Sequence, residues 1–248
     1  MNIKIIISPA KKMITDDVLE TRGKPCMSDR TAVLLEVLKS MDFATLKKLL
    51  ACNDEIAEVN YERFKNMDLN KNLSPALLSY DGIQYKYMSP HIFTDEYFDY
   101  VEEHLRILSG FYGILKPFDG ITPYRLEMQA KLSVGGYKNL YDFWGHSLYD
   151  ELVKDCDVIL NLASAEYSRT ITKYLSKDMR FITCSFAELT DGKLKEKGVY
   201  VKMARGEMVR FMAENNITST EEIKYFDRLG YSFNDELSNE NKYIFIKE

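Results

Sequence analysis

The chain has 248 residues, and its 33 Lys and Arg side chains stand against 38 Asp and Glu, which gives a formal net charge of −5. With 46% hydrophobic and 29% charged residues, the composition is that of a globular protein and excludes a disordered or fibrous chain. The acidic balance also argues against a protein coated with positive charge for nucleic acid or anionic lipid. One localised basic cleft is still compatible with it, because recognition depends on the local field and not on the total charge.

The first half of the chain is predicted to contain one buried strand followed mainly by helices. Residues 2–8 form a short segment rich in β-branched side chains that ends before a proline, and this pattern is typical of a buried strand. Ser28, Asp42 and Asn53 each precede an apolar run of helical period and are predicted to cap a helix. The second and third helices should form a tight hairpin. Further predicted elements are a strand at 77–80, a helix from 94 towards 105, a strand at 106–112 and an irregular segment at 116–128.

The second half is predicted to alternate strands and helices. This interleaving, without repeat or linker, predicts an α/β (α+β) mixed sheet in one domain, 1–248, with 42–66 as a possible helix-hairpin-helix-like element inside it. Asp191-Gly192 is a hairpin signal between two strands. The predicted elements are a helix at 141–153, a strand at 158–162, a helix at 165–175, hairpin strands at 180–189 and 193–204, a helix at 206–215, a capping box at Thr218 and Glu221, and an edge strand at 242–247.

Cysteine, histidine and hydropathy patterns bear on compartment and cofactors. The four cysteines are far apart, without the two-residue spacing of a zinc knuckle, and this indicates reduced thiols of a cytoplasmic protein. The three histidines lack metal-ligand spacings, so neither a metal nor a cofactor is expected. No apolar run approaches the roughly 18 residues of a membrane span. We expect no membrane partner and no obligate protein partner.

Two short segments combine a predicted strand end or loop with charged side chains. Lys11 and Lys12 directly follow the first strand and could cradle an anion, although paired surface lysines are also common. Arg125 has the planar fork that suits phosphate or carboxylate, and Glu127 could orient it or act as a base. The alternative for this second pair is an ordinary ion pair on a loop.

Two further segments lie at predicted boundaries between a strand and a helix. Ser164 is explained as a helix cap and Glu166 as a partner of the helix dipole, and a hydrolase is disfavoured because no Gly-x-Ser-x-Gly elbow is present. Lys202 is predicted on a strand that enters a helix at Arg205-Gly206. Such a helix start would offer free backbone N–H groups to a phosphate, and Arg210 follows in the next turns or lies simply on the surface.

Eight short strings are distributed along nearly the whole chain: IIISPAKK (5–12), LRILSGFYG (105–113), LKP (115–117), PYRLEM (123–128), YDFWG (141–145), NLASAEY (161–167), KMARG (202–206) and GY (230–231). In this order they resemble those of the YaaA peroxide-stress family of bacterial cytosolic proteins. The resemblance implies an α/β fold peculiar to that family, a role in limiting free iron during hydrogen peroxide stress, and DNA binding.

The family's DNA binding is associated with a helix-hairpin-helix element and a basic cleft. The equivalent hairpin here, 46–64, has no glycine in its turn and carries Asp54 and Glu55, so it either contacts phosphate, with help from Lys47 and Lys48, or is an ordinary packed helix pair. The basic cleft of the family is matched more fully in this sequence, because most of its residues lie in the matched strings. Its predicted DNA- and phosphate-binding residues are Lys11, Lys12, Arg125, Lys202, Arg205 and Arg210.

Three functions therefore compete. The first is a stress protein without required catalysis, which contacts the backbone of duplex or branched DNA through the cleft. The second is an enzyme acting on a nucleotide or phosphorylated substrate in the same pocket, with Tyr124, Glu127, Ser164 and Glu166 as the candidate catalytic residues. In the third, the charged motifs only stabilise the fold.

Overall fold

The computed structural model describes residues 1–16 and 18–247. The N-terminal half contains β1 (Ile3–Ile7), β2 (Lys12–Met13), α1 (Ser28–Ser40), α2 (Phe43–Leu50), α3 (Asp54–Asn66), β3 (Ser74–Pro75), α4 (Ala76–Ser79), β4 (Tyr80–Asp81), α5 (Ile83–Met88), α6 (Asp95–His104), β5 (Leu105–Ser109), β6 (Gly113–Leu115) and β7 (Gly120–Ile121). The C-terminal half contains α7 (Leu140–Trp144), α8 (Ser147–Leu152), β8 (Val158–Leu162), α9 (Ala165–Thr172), β9 (Arg180–Thr190), β10 (Lys193–Lys195), α10 (Gly198–Glu214), β11 (Tyr231–Phe233) and β12 (Lys242–Lys247). Short 3-10 helices lie at Pro90–Ile92, Glu222–Tyr225 and Arg228–Gly230.

A mixed sheet organises the fold, as the interleaved pattern predicted. Its strands lie in the order β11-β12-β9-β8-β1-β5-β6, and β10 pairs with β9. The five inner strands from β12 to β5 are parallel, whereas β11, β6 and β10 are antiparallel to their neighbours. The α/β mixed-sheet prediction is therefore confirmed. Within the described residues, no helix combines the length and hydropathy that a membrane crossing requires.

The inner strands are buried on both faces, which explains their continuous apolar sequences. All five residues of β1 and all five of β8 are buried. Lys4 is accommodated within β1 because its Nζ donates to the Glu103 carbonyl oxygen at 2.9 Å and lies 3.1 Å from the Glu103 Oε1. A buried ammonium is tolerated only with such partners.

Two of the three predicted helix caps are confirmed at the level of the hydrogen bond. The Thr45 N–H donates to the Asp42 Oδ1 at 2.7 Å, and the Ile56 N–H donates to the Asn53 Oδ1 at 3.0 Å. Ser28 instead becomes the first residue of α1, and its hydroxyl donates to the Pro25 carbonyl oxygen.

Several element predictions are wrong. Residues 77–80 form the end of α4 and the start of the short β4, because a fully buried apolar run does not distinguish helix from strand. The helix predicted at 141–153 divides at Gly145, whose φ of 52° interrupts it. The capping box uses Ser219 and Glu222 rather than Thr218 and Glu221. The C-terminal strand β12 lies between β9 and β11 and is not an edge.

The largest correction concerns residues 193–204. The hairpin strand β10 ends at Lys195, and the 17-residue helix α10 begins at Gly198, so Lys202 and Arg205 lie on a helix. The helix packs closely on α5. A Cβ at Gly206 would collide with the Gln84 carbonyl oxygen and lie 2.9 Å from the Met88 nitrogen.

We expect Gly206→Ala to destabilise the protein by about 1–3 kcal/mol, because backbone on the facing helix cannot yield as a flexible side chain can. Denaturant unfolding measures this change. Gly198→Ala is the matched control, since nothing lies within 4 Å of its added Cβ, and it should stay within about 0.5 kcal/mol of the parent. Equal stability of the two variants would contradict the packing role assigned to Gly206.

Candidate functional site

A cavity of about 470 Å³ opens at the carboxyl ends of β1 and β8. The parallel register pairs Ile7 with Leu162, so the chain leaves both strands at the same level. Ligand sites of open α/β sheets form at such strand exits. The walls come from residues 8–12, 81–85 and 124–127, from Ser164, Glu166 and Tyr167, and from Lys202 and Arg205 on α10.

Two serines tie the strand exits together. The Ser164 N–H donates to the Ser8 Oγ at 2.9 Å, and the two hydroxyl oxygens lie 3.2 Å apart. Tyr85 donates its hydroxyl to the Ser8 carbonyl oxygen at 3.0 Å. Ser164 occupies the cap position of α9, but its side chain forms no capping hydrogen bond, so it binds Ser8 instead. In the described part of the chain, no hydrogen bond joins either hydroxyl to a basic side chain.

The irregular segment 123–128 crosses the cavity wall and is held by buried contacts. A Cβ at Gly110 would collide with the Leu126 carbonyl oxygen, so only glycine permits this close crossing. The Tyr124 hydroxyl lies 2.9 Å from the Tyr80 hydroxyl and 2.5 Å from the Ser109 Oγ. Burial raises the pKa of Tyr124 above its ordinary value, and the phenol stays neutral. Tyr124 therefore anchors the wall.

Glu127 forms salt bridges with two of the predicted cations. Its Oε1 lies 2.9 Å from the Lys11 Nζ and 3.2 Å from the Arg125 Nη2. The Arg125–Glu127 ion pair considered from the sequence is present, but the Arg125 Nε is buried without a hydrogen-bond partner. Lys12 pairs with Asp81, which also lies 3.3 Å from the Lys86 Nζ.

Lys202 and Arg205 lie one turn apart on α10 and are the uncompensated cations of the cavity. No salt bridge involves either of them within residues 1–16 and 18–247. The Arg205 Nε is buried and unpartnered, and burial lowers the pKa of its guanidinium despite the opposing charge of Glu196. An arginine nevertheless stays protonated. Five cations and three carboxylates line the cavity, which leaves a surplus of two positive charges.

Glu166 connects α9 to Gln129, which directly follows the wall segment 123–128. Its Oε1 accepts a hydrogen bond from the Gln129 N–H at 3.2 Å. Burial raises the pKa of the Glu166 carboxyl, and the nearby Glu127 raises it further, while Lys11 opposes the shift. The folded protein therefore favours the protonated form of this carboxyl more than the unfolded chain does.

Comparisons with known proteins identify the family of the chain. The family model described as "Peroxide stress protein YaaA" matches residues 3–237. The chain belongs to the YaaA peroxide stress protein family. It is 58% identical to a UPF0246 protein of Desulfitobacterium hafniense (strain Y51), with 99% of this chain and 98% of that protein covered. A UPF0246 protein of Agathobacter rectalis is 54% identical, with 99% of each chain covered.

Nine of the ten site residues predicted for this YaaA family member line the one cavity, and Arg210 does not. The Arg210 Nε lies 2.6 Å from the Glu214 Oε1, and Arg228 joins Glu214 to Glu207. Arg210 thus belongs to an ion-pair network elsewhere on α10. The predicted phosphate-binding helix start at Gly206 is also wrong, because Gly206 lies inside the helix and faces α5.

The helical hairpin of this family member approaches the site from one side. Its turn contains Ala51 in the left-handed region, with φ 47°, and Lys47 pairs with Asp54 at 2.7 Å. Lys48 lines a second groove of about 590 Å³, which lies between α2 and residues 129–132 and shares Arg125 and Glu127 with the cavity.

Sequence reasoning missed Asp81 and Tyr85 as site residues. Asp81 directly follows the strand predicted at 77–80, and Tyr85 lies in a stretch for which no element was predicted. Both belong to the cavity lining, where Asp81 pairs with Lys12 and the Tyr85 hydroxyl donates to the Ser8 carbonyl oxygen. In the described part of the chain, no group of three or more His, Cys, Asp and Glu side chains is arranged to hold a metal ion.

We expect Glu166→Gln to remove one component of the pH dependence of stability. The raised pKa of Glu166 means that the folded state binds the proton more tightly, so its contribution to stability is full below the ordinary value of 4.5 and is lost as pH rises through the folded pKa. The variant should therefore gain stability over the parent at pH 7 but not at pH 4. Thermal unfolding at both pH values tests this, and an equal difference at both would contradict it.

Proposed function

We propose that this YaaA family member acts in the cytosolic response to hydrogen peroxide by binding DNA phosphates in the basic cavity, which protects DNA from iron-driven oxidation. The observation that carries the proposal is the surplus of two positive charges in the cavity lining, in which Lys202 and Arg205 have no salt bridge to any described residue. Phosphate contacts supply most of the affinity of proteins that bind DNA without reading its sequence.

The lysines at the rim extend this argument beyond the cavity. The Lys11 and Lys12 side chains are 63% and 73% exposed, although each is paired with a carboxylate. Each carboxylate also has a second cationic partner, Arg125 for Glu127 and Lys86 for Asp81. Exchange of these carboxylates for backbone phosphates therefore has a small free-energy cost, and the two lysines add to the phosphate-binding surface when DNA is present.

Salt dependence tests DNA binding. The logarithm of the binding constant of duplex or branched DNA should fall with the logarithm of salt concentration with a slope of about −2 or steeper, since each neutralised phosphate contributes about −0.9. The double variant Lys202→Met, Arg205→Met should lose about two units of that slope together with most of the affinity. Fluorescence anisotropy across a salt series measures both quantities.

Arg210→Met is the control for this experiment, because Arg210 lies on the same helix outside the cavity. It should bind DNA as the parent does. Affinity that is insensitive to salt, or that is unaffected by the double substitution, would refute DNA binding through the cavity.

We also propose that the protein lowers free iron during peroxide stress, as the family resemblance implies, and that this effect depends on the same cavity. Cells that lack their own family member should regain low free iron, measured by electron paramagnetic resonance, when they express the parent chain. Expression of Arg205→Met to the same level should not restore it. Full restoration by this variant would separate the iron effect from the cavity.

An enzyme acting on a nucleotide or another phosphorylated substrate is the second candidate. The specific observation in its favour is the cavity volume of about 470 Å³, which lies in the range of small-molecule sites, beside a carboxyl with a raised pKa. Product formation from a panel of nucleotides and sugar phosphates, lost in Glu166→Gln, would support it. The absence of turnover across that panel would count against it.

A further inference from the structure

We propose that the cavity recognises a terminal phosphate, that is a phosphomonoester, in preference to the internal phosphodiester of a nucleic-acid backbone. The inference deepens the proposed function and rests on it in so far as DNA supplies the terminal group. A free nucleotide supplies the same chemistry.

The shape of the cavity is the first argument. Residues from five parts of the chain line it, among them Ser8 and Ser164 at the exits of the neighbouring strands β1 and β8. An internal phosphodiester is flanked by nucleosides on both sides, so the nucleic-acid strand would have to leave the cavity in two directions. A terminal phosphate needs one way out. The second groove, which meets the cavity at Arg125 and Glu127, offers such a way towards α2 for the attached organic group.

The charge balance is the second argument. The five cations of the lining stand against Asp81, Glu127 and Glu166, and Lys202 and Arg205 are the two for which the described residues contain no salt bridge. The surplus of two positive charges matches a phosphomonoester, which carries about −1.5 to −2 near neutral pH. An internal phosphodiester carries one negative charge and would leave one of the two positive charges unneutralised.

The unused hydrogen-bond donors are the third argument. The Nε atoms of Arg125 and Arg205 are both buried and have no hydrogen-bond partner among the described residues, although guanidinium groups offer donors in a planar fork. A terminal phosphate has three free oxygens and can accept from two such forks, whereas a phosphodiester has two. A half-buried guanidinium without an anion is also unfavourable, and a bound dianion would remove that penalty.

The helix that carries Lys202 and Arg205 is rigidly placed. Gly206, next to Arg205, allows the backbones of α10 and α5 to meet, and α5 follows directly on the wall residues Asp81 and Gly82. The backbone positions of Lys202 and Arg205 are therefore fixed before any ligand arrives, which favours one compact group over a flexible run of phosphates.

The test compares the same duplex oligonucleotide with 5′-phosphate and with 5′-hydroxyl ends. The dissociation constant measured by fluorescence anisotropy should be at least about tenfold lower for the phosphorylated form than for the hydroxyl form, because the phosphate adds several charge-assisted hydrogen bonds. A nucleoside 5′-monophosphate should compete for the site, and the parent nucleoside should not. The preference should vanish in Arg205→Met, weaken in Arg205→Lys, which keeps the charge without the fork, and persist in Arg210→Met.

The outcomes separate this inference from DNA binding. Equal binding of both oligonucleotides that is lost in Arg205→Met would overturn terminal-phosphate recognition and leave DNA binding intact. Binding of the nucleoside monophosphate without either oligonucleotide would support the phosphomonoester and refute DNA as its source. A 5′-phosphate preference that persists in a folded Arg205→Met, checked by thermal unfolding, would overturn the assignment to this cavity, and no binding of any probe would overturn both proposals.

Discussion

The parallel pairing of β1 with β8 is the constraint on which the site depends. It brings two chain segments more than 150 residues apart in sequence to one edge of the sheet, and the Ser8–Ser164 contacts fix their exits. Parallel strands form only when both faces are covered, so the buried apolar sequences of β1 and β8 are a condition for the site as well as for the core. The α5 wall of the cavity is attached to this junction through the Tyr85 hydroxyl, which donates to the Ser8 carbonyl oxygen.

Charge compensation explains how a chain with net charge −5 maintains a basic site. Glu127 and Asp81 pair with Lys11 and Lys12, the two exposed cations that follow β1. Lys202 and Arg205, which have no salt bridge to a described residue, lie on a helix that backbone packing holds in place. The local field is thus positive where the scaffold is rigid, and the acidic remainder of the chain opposes indiscriminate association with nucleic acid.

Sequence patterns were sufficient to predict the parts of the fold that are specified locally. The continuous β-branched runs predicted β1 and β8, and the capping side chains of Asp42 and Asn53 marked the starts of α2 and α3. Residues 198–204 could not be assigned in this way, since Val199 and Val201 alternate as in a strand. The helix forms there because its packing on α5, through Gly206, outweighs local preference. That contact joins segments remote in sequence, and no pattern within either segment reveals it.

The same error explains the misplacement of Arg210. The prediction of a strand at 193–204 places Arg205 at the start of a helix. It also places Arg210 in the next turns of that helix, beside a phosphate. On a continuous helix, each residue advances by about 100°, so Arg210 lies about 140° around the axis from Arg205. It therefore faces Glu214 and not the cavity. Lys202, about 60° from Arg205 on that helix, stays on the cavity side. One error in the predicted secondary structure therefore changes the site by one residue. Lys202 and Arg205 line the same cavity as predicted, whereas Arg210 lies outside it, because helical periodicity decides which side chains share a face.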